Sequence, residues 1–238
     1  MSKKYRCILL VSDLHIPYEH KDSWDFLAAL KQKYKKDIDL VVGMGDELDQ
    51  HAISFHESNP DLYSAGHELS VAQDKIQTLY KMFPKMKLLH SNHSSLIYRR
   101  ALKHGLPKAY FKSYNEFLGV GKGWEWVDDL TVTLSDGQEC FFTHGLSADV
   151  LKVAMQYGKN VSQAHFHTKF SVSYFSNPDK LVWSLQCGSL IDQKSMAFDY
   201  AKNFKTRFIV GTAMIINGQP KLFPMVLNKN GRWIGKIV

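Results

Sequence analysis

The sequence predicts an α/β protein in which two packed β-sheets are flanked by helices. Two observations predict it. Through about residue 92, apolar strand-like runs alternate with amphipathic helical segments, the pattern of a parallel sheet with crossover helices. Beyond about residue 124, short strand-like runs follow one another across turn signals, with one helical segment among them. No repeat or low-complexity linker divides the chain, so residues 1–238 are expected to form one domain.

The elements follow in order. "YRCILLVSD" is apolar throughout and reads as a buried first strand. "KDSWDFLAALKQKYKK" places Trp24, Phe26, Leu27 and Leu30 at helical spacing and ends in lysines that suit a helix C-terminus. Its "KQKYKK" tail reads as a solvated helix end. "DIDLVVGMGD" is a second strand, "HELSVAQDKIQTLYKMF" a second helix and "KMKLLHSN" a third strand. The later strands are "GWEWVDD", "LTVTLSDG", "QECFFTHG", "NVSQAHFH", "TKFSVSYF", "KLVWSLQCG", "RFIVGTAMIING" and "PKLFPMVLN". Asp136-Gly137 and Asn217-Gly218 mark hairpin turns, and "LSADVLKVAMQYG" is the helix among the strands. Residues 189–238 either close the second sheet or form a dimer edge, and the oligomeric state stays open.

Apolar residues make up 45% of the chain, with 14 Phe, 11 Tyr and 5 Trp, which excludes a disordered chain. No apolar run approaches the ~18 residues of a membrane span. The apolar run after "MSKK" leads straight into polar residues and is too short for a signal peptide. Cys7, Cys140 and Cys187 lie far apart without metal-ligand spacing, which fits a reducing, cytoplasmic setting. The net charge of +7 fits a polyanionic partner and an ordinary solubility device equally well.

The chemistry-bearing residues gather at strand ends. Asp13 and His15 follow the first strand, Asp46 and Asp49 the second, and Asn92 and His93 the third. His144 follows "CFFT", and His165 and His167 follow "VSQA". Open α/β sheets bind ligands at that edge. A shared carboxylate with imidazole and oxygen donors suits a pair of divalent transition metals.

The order Asp-x-His, Gly-Asp-x-x-Asp, Asn-His, His-Gly and His-x-His resembles the calcineurin-like metallophosphoesterase superfamily, over nearly the whole chain from "SDLH" through "AHFHT" to "QCGSLID". The resemblance implies a four-layer αββα sandwich. It implies that Asp13, His15 and His167 hold one ion, that Asn92, His144 and His165 hold a second, and that Asp46 bridges them. Manganese is the first expectation for both ions, with iron, zinc or nickel as alternatives. His93 resembles the catalytic histidine, which donates a proton to the leaving group while a metal-activated water attacks. The usual acid after Asn-His is replaced here by Ser94, and the glycine before it by Ser91. Asp49 is therefore expected to be the carboxylate that orients His93.

Gln50-His51 stands where protein phosphatases and dinucleoside tetraphosphatases carry Arg-Gly, which disfavours those activities. The chain looks more like the small stand-alone phosphoesterases of bacteria and their viruses. The expected substrate is a phosphate ester of a nucleotide or nucleic acid. The alternatives are a small-metabolite phosphodiesterase or pyrophosphatase, and a non-catalytic scaffold. Arg99 and Arg100 suit phosphate recognition, and His51, His56 and His90 flank the site. Trp124, Trp126, Phe141 and Phe142 read as core, with a base-stacking platform as the alternative.

Overall fold

The apolar N-terminal run forms the middle of a six-stranded sheet. In the computed structural model, which describes residues 3–55, 59–195, 205 and 207–238, the first elements are β1 (Lys4–Tyr5), β2 (Cys7–Val11), α1 (Ser23–Lys33), β3 (Leu40–Gly43), α2 (Ala65–Met82), β4 (Met86–Leu89) and α3 (Leu96–Lys103). Then come α4 (Tyr114–Leu118), β5 (Trp124–Val127), β6 (Leu130–Leu134), β7 (Glu139–Thr143), α5 (Val150–Tyr157) and β8 (Asn160–Gln163). The chain continues through β9 (Phe170–Ser176), β10 (Leu181–Cys187), β11 (Gly211–Ile216) and β12 (Gln219–Pro224). The first sheet has the order β12-β11-β2-β3-β4-β5 and the second β1-β6-β7-β8-β10-β9.

Every residue of β2 is buried because both faces of the strand are covered. Cys7, Leu9 and Val11 point to the layer shared with Phe26, Leu27 and Leu30 of α1 and Ile76 and Leu79 of α2. Ile8 and Leu10 point the other way, to Phe142, Trp183 and Leu185 of the second sheet. On the far side of that sheet, Val150, Val153 and Ala154 of α5 cover Phe141 and Val161. The layers are therefore helix, sheet, sheet and helix. The expected aromatic stripe is shared among these layers: Trp124 packs under the helices, Phe142 between the sheets, and Phe141 beneath α5. Trp126 packs partly buried beside Trp124.

Two placements differ from the reading by sequence halves. "GWEWVDD" becomes β5, which pairs parallel with β4 and so extends the first sheet. The C-terminal strands β11 and β12 also join the first sheet, with Met214 opposite Leu9 and Ile216 opposite Cys7. The Asn217-Gly218 turn makes this hairpin with left-handed backbone at both residues, φ 51° and 81°. Past β12, the chain crosses back to α1. Arg232 forms a forked ion pair with Asp22, and Trp233 sits edge-on to Phe26 at 5.5 Å. No helix among the described residues is long and apolar enough to cross a membrane.

Candidate metal centre

Each motif lies on a turn directly after a strand. The registers Val11 opposite Gly43 and Gly43 opposite Leu88 align the ends of β2, β3 and β4. Thr143 opposite Gln163 aligns the ends of β7 and β8. The strand pairing therefore brings residues up to 154 positions apart, such as Asp13 and His167, within 3.1 Å.

The turns are sharply bent. Five non-glycine residues among those described have positive φ: His15 (50°), Asp46 (48°), Gln50 (57°), His165 (67°) and Asn217 (51°). Three of them are candidate ligands. Left-handed backbone costs energy for residues with a Cβ, and it persists where the surroundings over-determine it, often at functional sites. Glycine is required at two neighbouring positions. A Cβ on Gly45 would lie 2.5 Å from His144 Nδ1, and one on Gly145 would lie 2.6 Å from His165 Cβ.

Three groups of donors result, two that share Asp46 and a third formed by His15, Asp49 and His93. Asp13, His15, Asp46 and His167 offer ligand atoms within 4.8 Å of one another, and so do Asp46, His144 and His165. Asp46 belongs to both. Asn92 Oδ1 completes the second group, 2.9 Å from His144 Nε2. The sequence-predicted ligands are thus all brought together.

The chemistry of this donor set fits divalent cations. Asp13, Asp46 and Asp49 are each at most 2% exposed. Among the described residues, their only ion-pair partners are histidines; no Lys or Arg reaches them. Buried carboxylates without a permanent cation are costly. His144 Nδ1 donates to the Met44 carbonyl at 2.9 Å, so its Nε2 faces Asn92 Oδ1 and Asp46 Oδ2, both acceptors, at 2.9 and 3.2 Å. His165 Nδ1 approaches the same nitrogen at 3.2 Å. Asp13 Oδ1 is buried without a hydrogen-bond partner. Acceptors crowded in this way call for positive charge between them. Without a metal, protons supply it. Burial opposes charging His15 and His144, but the carboxylates, Asp46 foremost, push them up to about 10 and about 9. Burial would raise the Asp46 carboxyl, yet His144, His93 and His15 hold it well below the ordinary range. Burial and the neighbouring His144 keep His165 below its usual value.

The structure revises the expected partner of Asp49. Its carboxylate accepts from His15 Nδ1 at 2.9 Å, while its backbone carbonyl accepts from His93 Nδ1 at 2.6 Å. The nearest carboxylate oxygen lies 3.9 Å from His93. The carboxylate therefore holds a candidate ligand, His15, and the main chain holds the candidate acid. A carboxylate behind a metal-binding histidine sets its tautomer and basicity. Asp49→Asn is accordingly expected to weaken metal binding roughly 10–100-fold. Saturating manganese should restore most of the turnover. Titration with manganese, followed by activity and bound metal together, checks this; an unchanged manganese midpoint with reduced turnover would return Asp49 to His93.

Ser91 and Ser94 also find their roles. Ser94 is fully buried, and its hydroxyl pairs with that of Ser91 at 2.8 Å. Ser91 Oγ in turn accepts from the Asp46 N–H at 2.9 Å, pinning the backbone of the shared carboxylate. The serine pair thus braces the turn.

The weaker candidates separate. Arg100 donates to the Ile53 and Ser54 carbonyls and so holds the 51–55 turn. His51 Nε2 accepts from the Asn59 N–H at 2.9 Å, also a structural contact. Arg99 is exposed and donates to the Asn92 carbonyl at 3.2 Å. His90 lines an open cavity of about 300 Å³ with Asn92, Asp128, His144 and His165. His56 lies outside the described residues. Sequence reasoning missed Gln50, whose amide donates to the carbonyls of His93 and Ser94 at 2.7 and 3.1 Å.

No family model and no curated protein sequence matches the chain. Among solved structures, Vps29 of Chaetomium thermophilum aligns over 95% of this chain and 94% of its own, at 13% identity and a TM-score of 0.48. The nuclease MPE of Pseudomonas putida aligns over 90% and 86%, at 14% identity and a TM-score of 0.31.

Proposed function

We propose that the chain is a metal-dependent phosphoesterase of the calcineurin-like type, acting on phosphate esters of nucleotides or nucleic acid. One observation carries the reading: two donor groups share Asp46, and an imidazole belonging to neither, His93, is held beside them. Asp13, His15, Asp46 and His167 would hold one ion, and Asp46, Asn92, His144 and His165 the other, with manganese the first candidate. Such a pair, when bound, lowers the pKa of water and neutralises charge on phosphoryl oxygens.

The chain's own residues do the rest. His93 Nδ1 is engaged by the Asp49 carbonyl, so Nε2 is the nitrogen left for substrate. Protonated, Nε2 hydrogen-bonds the leaving-group oxygen and passes it the proton as the ester bond breaks. The His93 N–H donates to Asp46 Oδ1 at 3.2 Å, which ties the acid to the shared carboxylate. Gln50 braces the same turn from below. The cavity beside His144 and His165 gives the ester room at about the lower limit of ligand-sized pockets. A scaffold role is disfavoured because all eight residues are present and converge.

Hydrolysis of bis-p-nitrophenyl phosphate and p-nitrophenyl phosphate by the purified chain, stripped and then reloaded with manganese, tests this. The expected result is chelator-sensitive turnover with about two metals per chain. Full activity at negligible metal content would reject the mechanism, and metal binding without turnover on either ester would favour the scaffold.

A further inference from the structure

The positive charge of this chain is concentrated. Residues 75–115 hold nine Lys and Arg and no Asp or Glu, whereas the remaining 21 basic residues are outnumbered by 23 acidic ones. The whole net charge of +7 therefore resides in one segment, which also carries Asn92, His93 and α3. A general solubility device would mix the signs over the surface.

Part of this charge is spent locally. Lys75 pairs with Glu19 and Lys87 with Glu125. Lys81 lies on α2 and Lys85 just before β4; the other five lie on α3 and the loop after it. Arg99, Arg100, Lys103, Lys108 and Lys112 form no ion pair among the described residues, and only Lys112 has a carboxylate, Glu116, within electrostatic reach. Residues 102–110 are exposed without a break. This basic lip adjoins the candidate centre, since Arg99 holds the Asn92 carbonyl. It also carries aromatic rings in the open. Phe55, 40% exposed, has Arg99, Arg100 and Lys103 at 5.0, 4.4 and 5.5 Å from its ring centre. Tyr110 is 76% exposed.

Uncompensated cations repel one another, and exposed rings forgo burial. A chain of phosphates with flat bases answers both: the phosphates meet the cations and the bases stack on the rings. An acidic protein would meet the cations only, and an anionic membrane would take up the rings without a flat partner to stack on them. Duplex nucleic acid hides its base faces. We propose that α3, the loop 104–112 and Phe55 form a track for a single-stranded polynucleotide that leads one of its phosphodiesters to the candidate metal centre. The helix is about 12 Å long at ~1.5 Å per residue, so with its loop the track suits about four nucleotides. The fate of the strand rests on the phosphoesterase reading; binding of the strand does not.

The test is fluorescence anisotropy of labelled oligothymidylate and oligouridylate on the full chain, in chelator, over a range of salt. Five cations predict a slope of log K against log salt near about −3.5, falling to about −2 in K103E/K108E. That variant should bind at least ~10-fold more weakly. F55A/Y110A should lose at least about tenfold with the slope unchanged. Binding of either oligomer upholds the track, and the tighter of the two is the preferred strand. The track is overturned if wild type binds neither oligomer, or if F55A/Y110A binds as wild type does. Equal competition by poly-glutamate, by phosphatidylserine vesicles or by duplex DNA overturns it as well. Circular dichroism and bis-p-nitrophenyl phosphate turnover within about twofold of wild type should show K103E/K108E folded with its centre intact. The two readings fail separately, because binding in chelator needs no turnover and the small diester needs no track.

Discussion

Asp46→Asn is expected to abolish hydrolysis, by about 10³-fold or more in kcat/KM, and to release both metals. The size follows from position. Losing a residue that merely supports a ligand costs ~10–100-fold in affinity, and Asp46 faces both donor groups directly. Its Oδ2 lies 3.3 Å from His15 Nε2 and 3.2 Å from His144 Nε2, while Oδ1 accepts from the His93 N–H. The amide keeps the volume and removes the charge, so the fold should survive. Asn92→Ala and His15→Ala each touch one group and should be milder. Bound manganese measured after reconstitution, with circular dichroism as the control for folding, separates the cases. An Asp46→Asn protein that retained two metals and near-normal turnover would show that this carboxylate is not shared.

His93→Ala should give the opposite signature: metals retained, turnover lost by roughly 10²–10⁴-fold. His93 contributes no atom to either of the two groups that share Asp46 and joins only the third, with His15 and Asp49, so the two ions expected at Asp46 should stay. The loss should depend on the leaving group. A p-nitrophenolate departs with little help, whereas an alkoxide needs the proton that His93 would supply under the proposed mechanism. The measurement is kcat on paired p-nitrophenyl and alkyl esters at saturating manganese. Equal losses on both would remove the acid role and leave His93 as a charge stabiliser alone.

Sequence and structure divide this molecule unevenly. The alternating runs up to residue 92 and the placement of ligand-type residues after strands were readable from the chain. They are local facts: periodicity marks an element, and the residues just past a strand end share an edge with those past its parallel neighbours. The partners of Asp49 were not readable. Its carboxylate lies 2.9 Å from one histidine and 3.9 Å from another, and that difference is settled by the packing of turns far apart in sequence. The same holds for Arg100, whose guanidinium reaches main-chain carbonyls of a turn 47 residues away. β11 and β12 could pair with either sheet on their own alternation. Their place beside β2 was decided by which sheet offered an open edge and a complementary apolar face. By itself the sequence determined which elements form and which chemistry stands at their ends. Only the tertiary structure decided which sheet each late strand joins and which oxygen each histidine meets, because those choices depend on long-range contacts that no local pattern encodes.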